Sequence, residues 1–109
     1  MVKIQIFEEA MCCATGVCGP SVNKILVQTT AIQRHVNANG KNLIIRRNLT
    51  QNPDAFARNH QIQALLEKYG IEILPITIVD GIITKQGGYP TFQEFSNYLH
   101  QDLSRARVH

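Results

Sequence analysis

The chain has 109 residues, of which 44% are apolar and 17% charged, and a formal charge of +3. This composition excludes a disordered chain, and charge this mild does not by itself mark a nucleic-acid binder; the length predicts one domain over residues 1–100 with a frayed tail at 101–109. Three cysteines, an odd number with two of them adjacent, exclude a secreted disulfide framework and predict free thiols in a reducing, cytoplasmic compartment.

Val2 to Phe7 alternates polar and apolar side chains and predicts a first strand, with Ile4 and Ile6 on one face and Phe7 closing it. One strand length is too short for a membrane span and lacks the pattern of a signal peptide, so no membrane contact of the chain's own is expected. The cysteine segment follows directly. Pro20 suits the first turn of a helix, and Val22, Ile25, Leu26, Thr29, Ile32 and Val36 then recur near the helical period until Gly40 offers a left-handed stop. Leu43-Ile44-Ile45, followed by Arg46-Arg47-Asn48, predicts a second strand lying parallel to the first through that helical crossover.

Asn52 can cap and Pro53 can open a further helical stretch through Phe56, whose apolar stripe continues at Ile62, Leu65, Leu66 and Tyr69 to a stop at Gly70, with a break expected near Asn59. Pro75 to Val79 and Ile82 to Lys85 flank Asp80-Gly81, the strongest short signal for an antiparallel hairpin. Gly87-Gly88-Tyr89-Pro90 is a turn, and Thr91 with Glu94 forms a capping box ahead of Phe92, Phe95 and Leu99 on a last helix. The order βαβ-α-ββα predicts an α/β, thioredoxin-like fold, a small mixed sheet flanked by helices. Leu74-Pro75 matches the place where such domains carry a cis-proline facing the active-site loop, so Pro75 is expected to shape the rear of the cysteine site; the plainer reading is a proline that begins a strand.

All three cysteines stand in Ala10-Met11-Cys12-Cys13-Ala14-Thr15-Gly16-Val17-Cys18-Gly19-Pro20, between the first strand and the first helix, where ligands tend to bind in parallel sheets. The thiolate is both the nucleophile and the metal ligand, and a helix N-terminus favours that anion, so Cys18 gains most; Glu8 and Glu9 oppose ionisation if they face the thiols. Structural zinc wants four ligands, whereas trivalent arsenic or antimony carries a lone pair and takes a pyramid of three sulfurs, which Cys12, Cys13 and Cys18 can supply around Gly16. Copper(I), an iron–sulfur centre, a strained Cys12–Cys13 disulfide and plain packing cysteines stand as alternatives on spacing alone. Cys18-Gly19-Pro20-Ser21 is similar to the thioredoxin Cys-Gly-Pro-Cys motif with Ser21 in place of the resolving thiol, which leaves a monothiol exchange enzyme with Cys18 as nucleophile as the rival. Met11 reads as a packing residue. His35, His60, His100 and His109 read as surface residues, because none falls at ligand spacing from the cysteines.

Ala10 to Gly19 closely resembles the signature of the ArsD family of arsenical-resistance metallochaperones and trans-acting operon repressors. Asn48-Leu49-Thr50-Gln51-Asn52-Pro53, Leu74-Pro75, Asp80-Gly81 and Tyr89-Pro90 resemble that family's later blocks, so the likeness runs to about Leu99. The resemblance implies a thioredoxin-like fold and arsenite or antimonite held by Cys12, Cys13 and Cys18. It also implies glutathione-bound arsenite as donor and an ArsA-type efflux ATPase as acceptor. The chain departs from the family at Glu8-Glu9, where many members have an acidic residue and proline, and it has no cysteine after Cys18 to match the C-terminal pairs of some members.

The leading expectation is therefore a carrier rather than an enzyme, with no permanent cofactor and a transient As(III) or Sb(III) cargo. Exchange with a partner site needs an exposed loop, so Thr15, Gly16 and Val17 are expected at the partner surface. A homodimer acting on operator DNA is a third reading, inherited from the resemblance, since no helix-turn-helix is evident. Arg46-Arg47 and Arg105-Ala106-Arg107 are expected to be solvated edges.

Overall fold

The computed structural model of the protein describes residues 2–9 and 24–99. Strand β1 covers Lys3–Glu8, one residue further than expected. Its pleat sends Ile4 and Ile6 into one core and Phe7 into another, so Phe7 does not close the first face but opens the second. Helix α1, Lys24–Asn39, packs Ile32 and Val36 onto the first face and ends at Gly40 with φ +72°. Ile25 leaves the expected buried stripe and is 58% exposed, because in the first described turn it borders an apolar recess with Tyr89, Pro90 and Phe92 instead of the core. Buried Thr29 satisfies its hydroxyl by donating to the Ile25 carbonyl at 2.8 Å.

Strand β2, Leu43–Asn48, runs parallel to β1 with Ile4 opposite Ile44 and Ile6 opposite Arg46. Two short helices follow, α2 at Pro53–Arg58 and α3 at His60–Tyr69. The break falls at Asn59, whose side chain accepts from the Ile62 amide at 3.1 Å and caps α3. Asn52 does not use its side chain as a cap for α2; its Oδ1 accepts from the Asn48 amide at 3.2 Å, tying the turn after β2 to the strand end. Tyr69 also lies outside the core, at 53% exposure, with the Lys68 ammonium 5.2 Å from its ring centre. A single 3₁₀ turn at Ile71–Ile73 precedes the hairpin.

Strands β3, Ile76–Val79, and β4, Ile82–Gln86, are joined by Asp80 at φ 49° and Gly81 at φ 87°, the paired positive angles of a type I′ turn. The sheet order is β2-β1-β3-β4, with β1 and β3 antiparallel, so the sheet is mixed as the element order predicts. Helix α4, Phe92–Leu99, begins at the expected capping box: Thr91 Oγ1 accepts from the Glu94 amide and Glu94 Oε1 from the Thr91 amide, both at 3.1 Å.

Helices α1 and α4 cover one face of the sheet through Ile32, Val36, Phe95 and Leu99, while α2 and α3 cover the other through Phe56 and Ile62. Phe7 meets Phe56 edge to face, with centroids 5.1 Å apart. Each such side chain withdrawn from water contributes about 1.5–3 kcal/mol. Among the described residues no helix is long and apolar enough to cross a membrane.

Candidate functional site

Cys12, Cys13 and Cys18 lie outside the described residues, as do Met11, Thr15, Gly16, Val17, Ser21, His100, His109, Arg105 and Arg107. The described residues supply the frame from which the cysteine segment departs at the end of β1 and to which it returns at the start of α1.

That frame is built on a buried charge. Glu8, the last residue of β1, is wholly buried, and its carboxylate faces the same side of the sheet as Ile4 and Ile6. Arg46, opposite Ile6 in the parallel register, reaches it from β2: Nη2 donates to Oε1 at 2.6 Å, and Nε donates to Oε1 and Oε2 at 3.2 and 3.1 Å. The remaining arm of the guanidinium, Nη1, donates to Thr30 Oγ1 on α1 at 2.8 Å. Tyr89, in the turn after β4, donates its hydroxyl to Glu8 Oε1 at 2.5 Å. A carboxylate without these partners would cost several kcal/mol to bury; a planar guanidinium with several aligned donors is what makes the burial tolerable. Burial first, and then the adjacent Glu8 carboxylate, push the Tyr89 hydroxyl well above the ordinary tyrosine range, so Tyr89 stays protonated and keeps donating.

Arg46 is therefore no solvated edge. Its side chain retains 5% exposure, and the expectation fails because strand alternation turns one of two adjacent arginines inward onto Glu8. The same arrangement bears on the concern that Glu8 and Glu9 oppose thiolate formation. Glu8 is compensated in place by Arg46, and Glu9 is exposed to water. Reading the residues singly missed this network, although a signal was present: Glu8 continues the buried alternation of Ile4 and Ile6, and Arg46 continues that of Ile44.

The Leu74–Pro75 peptide, whose isomer the sequence leaves open, is cis, and Pro75 is buried. Pro75 immediately precedes β3, whose Ile76 pairs with Phe7, so it comes next in register beside the Glu8 end of β1. Its carbonyl accepts from the Gly87 amide at 3.0 Å, which fastens the end of β4 to the same corner. Glu8, Arg46, Tyr89 and Pro75 thus gather at the strand end that leads into the cysteine segment. Among the described residues no group of three His, Cys, Asp or Glu side chains could hold a metal ion. His60 is exposed and His35 half-buried.

A four-stranded mixed sheet with helices on both faces, and a segment holding all three cysteines in the sequence after a central strand, define a small α/β protein. The family model described as "Arsenical resistance operon protein ArsD" matches residues 1–109, and the chain belongs to that family. An Escherichia coli protein named arsenical resistance operon trans-acting repressor ArsD is 37% identical over 96% of this chain and 87% of its own length. A putative arsenical resistance operon repressor ArsD from Halobacterium salinarum is 35% identical over 89% of this chain and 90% of its own. The crystal structure of an arsenical resistance operon trans-acting repressor from Bacteroides vulgatus superposes with a TM-score of 0.83 at 37% identity, covering 90% of this chain and 92% of that one. These relatives are named as repressors, not as enzymes.

Proposed function

We propose that this chain is a trivalent arsenic and antimony carrier. It takes the metalloid from glutathione-bound arsenite onto the thiolates of Cys12, Cys13 and Cys18 and passes it to an ArsA-type efflux ATPase. The observation that carries the reading is the cysteine set itself: three thiols in one short segment, in a chain matched from end to end by the ArsD family. Three thiolates complete the pyramid that a lone-pair metalloid accepts, and no fourth ligand is required.

Transfer proceeds by exchange. An incoming thiolate forms one sulfur–metalloid bond as one donor thiolate leaves and takes up a proton, and three such steps move the ion without releasing it. Thr15, Gly16 and Val17 flank the ligands and form the surface the acceptor meets, and Pro75 packs behind the loop. The names of the relatives support a second activity of the same chain, repression of an arsenical-resistance operon; in this reading the repression is weak and is exerted by a homodimer on operator DNA.

Titration of the fully reduced protein with arsenite, followed by sulfur–arsenic absorption and intact mass, tests the carrier reading. One arsenic per chain is expected, with sharp weakening in each of Cys12→Ser, Cys13→Ser and Cys18→Ser. Binding that survives loss of Cys12 and Cys13 would replace it with a thiol-exchange enzyme centred on Cys18.

A further inference from the structure

On the face of the sheet opposite the Glu8 network, a groove of about 670 Å³ runs between α2 and the ends of β1 and β2. Its size falls in the range of about 300–1,000 Å³ common for small-molecule sites. Arg47 and Arg58 both line it, and neither guanidinium makes a hydrogen bond or ion pair among the described residues. Asp54 lines it too. Although Asp54 stands one helical turn before Arg58, no ion pair joins them. Gln51 and Asn52 add amides to a polar lining that also includes Asn59, His60 and Gln61. The side-chain oxygens of Gln51 and Asn52 accept from Asn48, at 3.4 Å from its side chain and 3.2 Å from its backbone, which leaves their amide N–H groups available to a ligand.

We propose that this groove binds a small zwitterionic peptide with two carboxylates and one ammonium group, and that it seats the glutathione of the metalloid donor beside the cysteine segment. The proposal deepens the carrier reading and rests on it for the identity of the donor. Two guanidiniums without partners among the described residues match two carboxylates, one carboxylate likewise without a partner there matches one ammonium, and the amide donors match peptide carbonyls. Nucleic acid fits less well: a phosphate backbone asks for a continuous positive surface, and Asp54 repels it. The location suits delivery. Phe7, which also lines the groove, pairs with Arg47 near the carboxyl ends of the parallel strands. Cys12 follows Phe7 by five residues, within a reach of at most about 18 Å.

The test uses S-methylglutathione, whose blocked sulfur cannot exchange, titrated into the reduced full chain by calorimetry. Saturable binding is expected, weakened at least tenfold in Arg47→Met and in Arg58→Met, and weakened also in Asp54→Asn. In the same variants, uptake of arsenic from triglutathione arsenite should slow by a larger factor than uptake of free arsenite. No binding of S-methylglutathione, equal binding by the variants, or equal displacement by inorganic phosphate or duplex DNA would overturn the proposal. Failure of the carrier reading would look different: free arsenite would not bind the native chain, while S-methylglutathione still bound the groove and lost affinity in the arginine variants.

Discussion

Arg46 and Arg47 are neighbours in sequence and opposites in the molecule. Arg46 turns toward α1, where Glu8 and Thr30 accept from its guanidinium and Tyr89 donates to the same Glu8 carboxylate. Arg47 turns toward α2, where its guanidinium faces an open groove with no partner among the described residues. One residue of strand pleat separates a charge that holds the fold from a charge that is free to meet a ligand. The buried pair fastens β1, β2, α1 and the turn before α4 at the end of β1, whereas the groove side offers donors that the described residues leave unused.

Exchanging each arginine for an unbranched neutral side chain should break that comparison most clearly. Arg46→Met leaves the Glu8 carboxylate buried and unpaired, so urea unfolding should show a loss of about 3–5 kcal/mol. Arg47→Met should stay within about 0.5 kcal/mol. Adding Glu8→Gln to Arg46→Met should restore part of the loss. A large loss at Arg47 with none at Arg46 would reverse the assignment of the two roles.

Tyr89→Phe removes a hydroxyl that donates to a buried carboxylate, at an expected cost of about 1.5–3 kcal/mol near neutral pH. The raised pKa adds a pH signature. Below the ordinary tyrosine value of 10.0 the hydroxyl is protonated in both folded and unfolded chains, and its contribution is complete. As pH rises above 10.0 the unfolded chain ionises Tyr89 first, so the native protein should lose stability there more steeply than Tyr89→Phe does. Parallel alkaline profiles for the two proteins would contradict the buried placement.

Away from both arginines, Thr91→Ala should cost about 1 kcal/mol, because it removes the side-chain half of the α4 capping box. The smallest effect concerns Glu94. The hydrogen bond from Lys85 first, and then that from the Thr91 amide, hold its carboxyl below the usual carboxylate range. Its contribution is therefore complete above that range and fades as pH falls through the lowered value. Acid unfolding of Glu94→Gln should lack this part of the slope, and because the Lys85–Glu94 pair is partly exposed, added salt should weaken the difference.

The elements whose signals are local were legible in the sequence. The type I′ turn at Asp80-Gly81, the capping box at Thr91 and Glu94, and the helix stop at Gly40 each depend on a few adjacent residues. The βαβ-α-ββα order follows from them and from the alternation in β1 and β2. What escaped depends on partners distant in sequence. Arg46 needs Glu8 across the parallel register, and Tyr89 arrives from 81 positions away. Asn52 has the chemistry of a cap, but the end of β2 competes for its side chain and wins. Ile25 fits the helical stripe and still lies outside the core, because periodicity reports a face and not how far the sheet beneath it extends. At the candidate site the crowding of the cysteines is a feature of the sequence alone, while the charged frame at the end of β1 required register.

Arsenic K-edge X-ray absorption of the reduced protein loaded with one equivalent of arsenite measures the central claim, a three-thiolate metalloid site at Cys12, Cys13 and Cys18. Three sulfur neighbours, reduced to two with an oxygen in Cys13→Ser, are expected. Two or fewer sulfurs in the native protein, or a spectrum unchanged by Cys13→Ser, would contradict it.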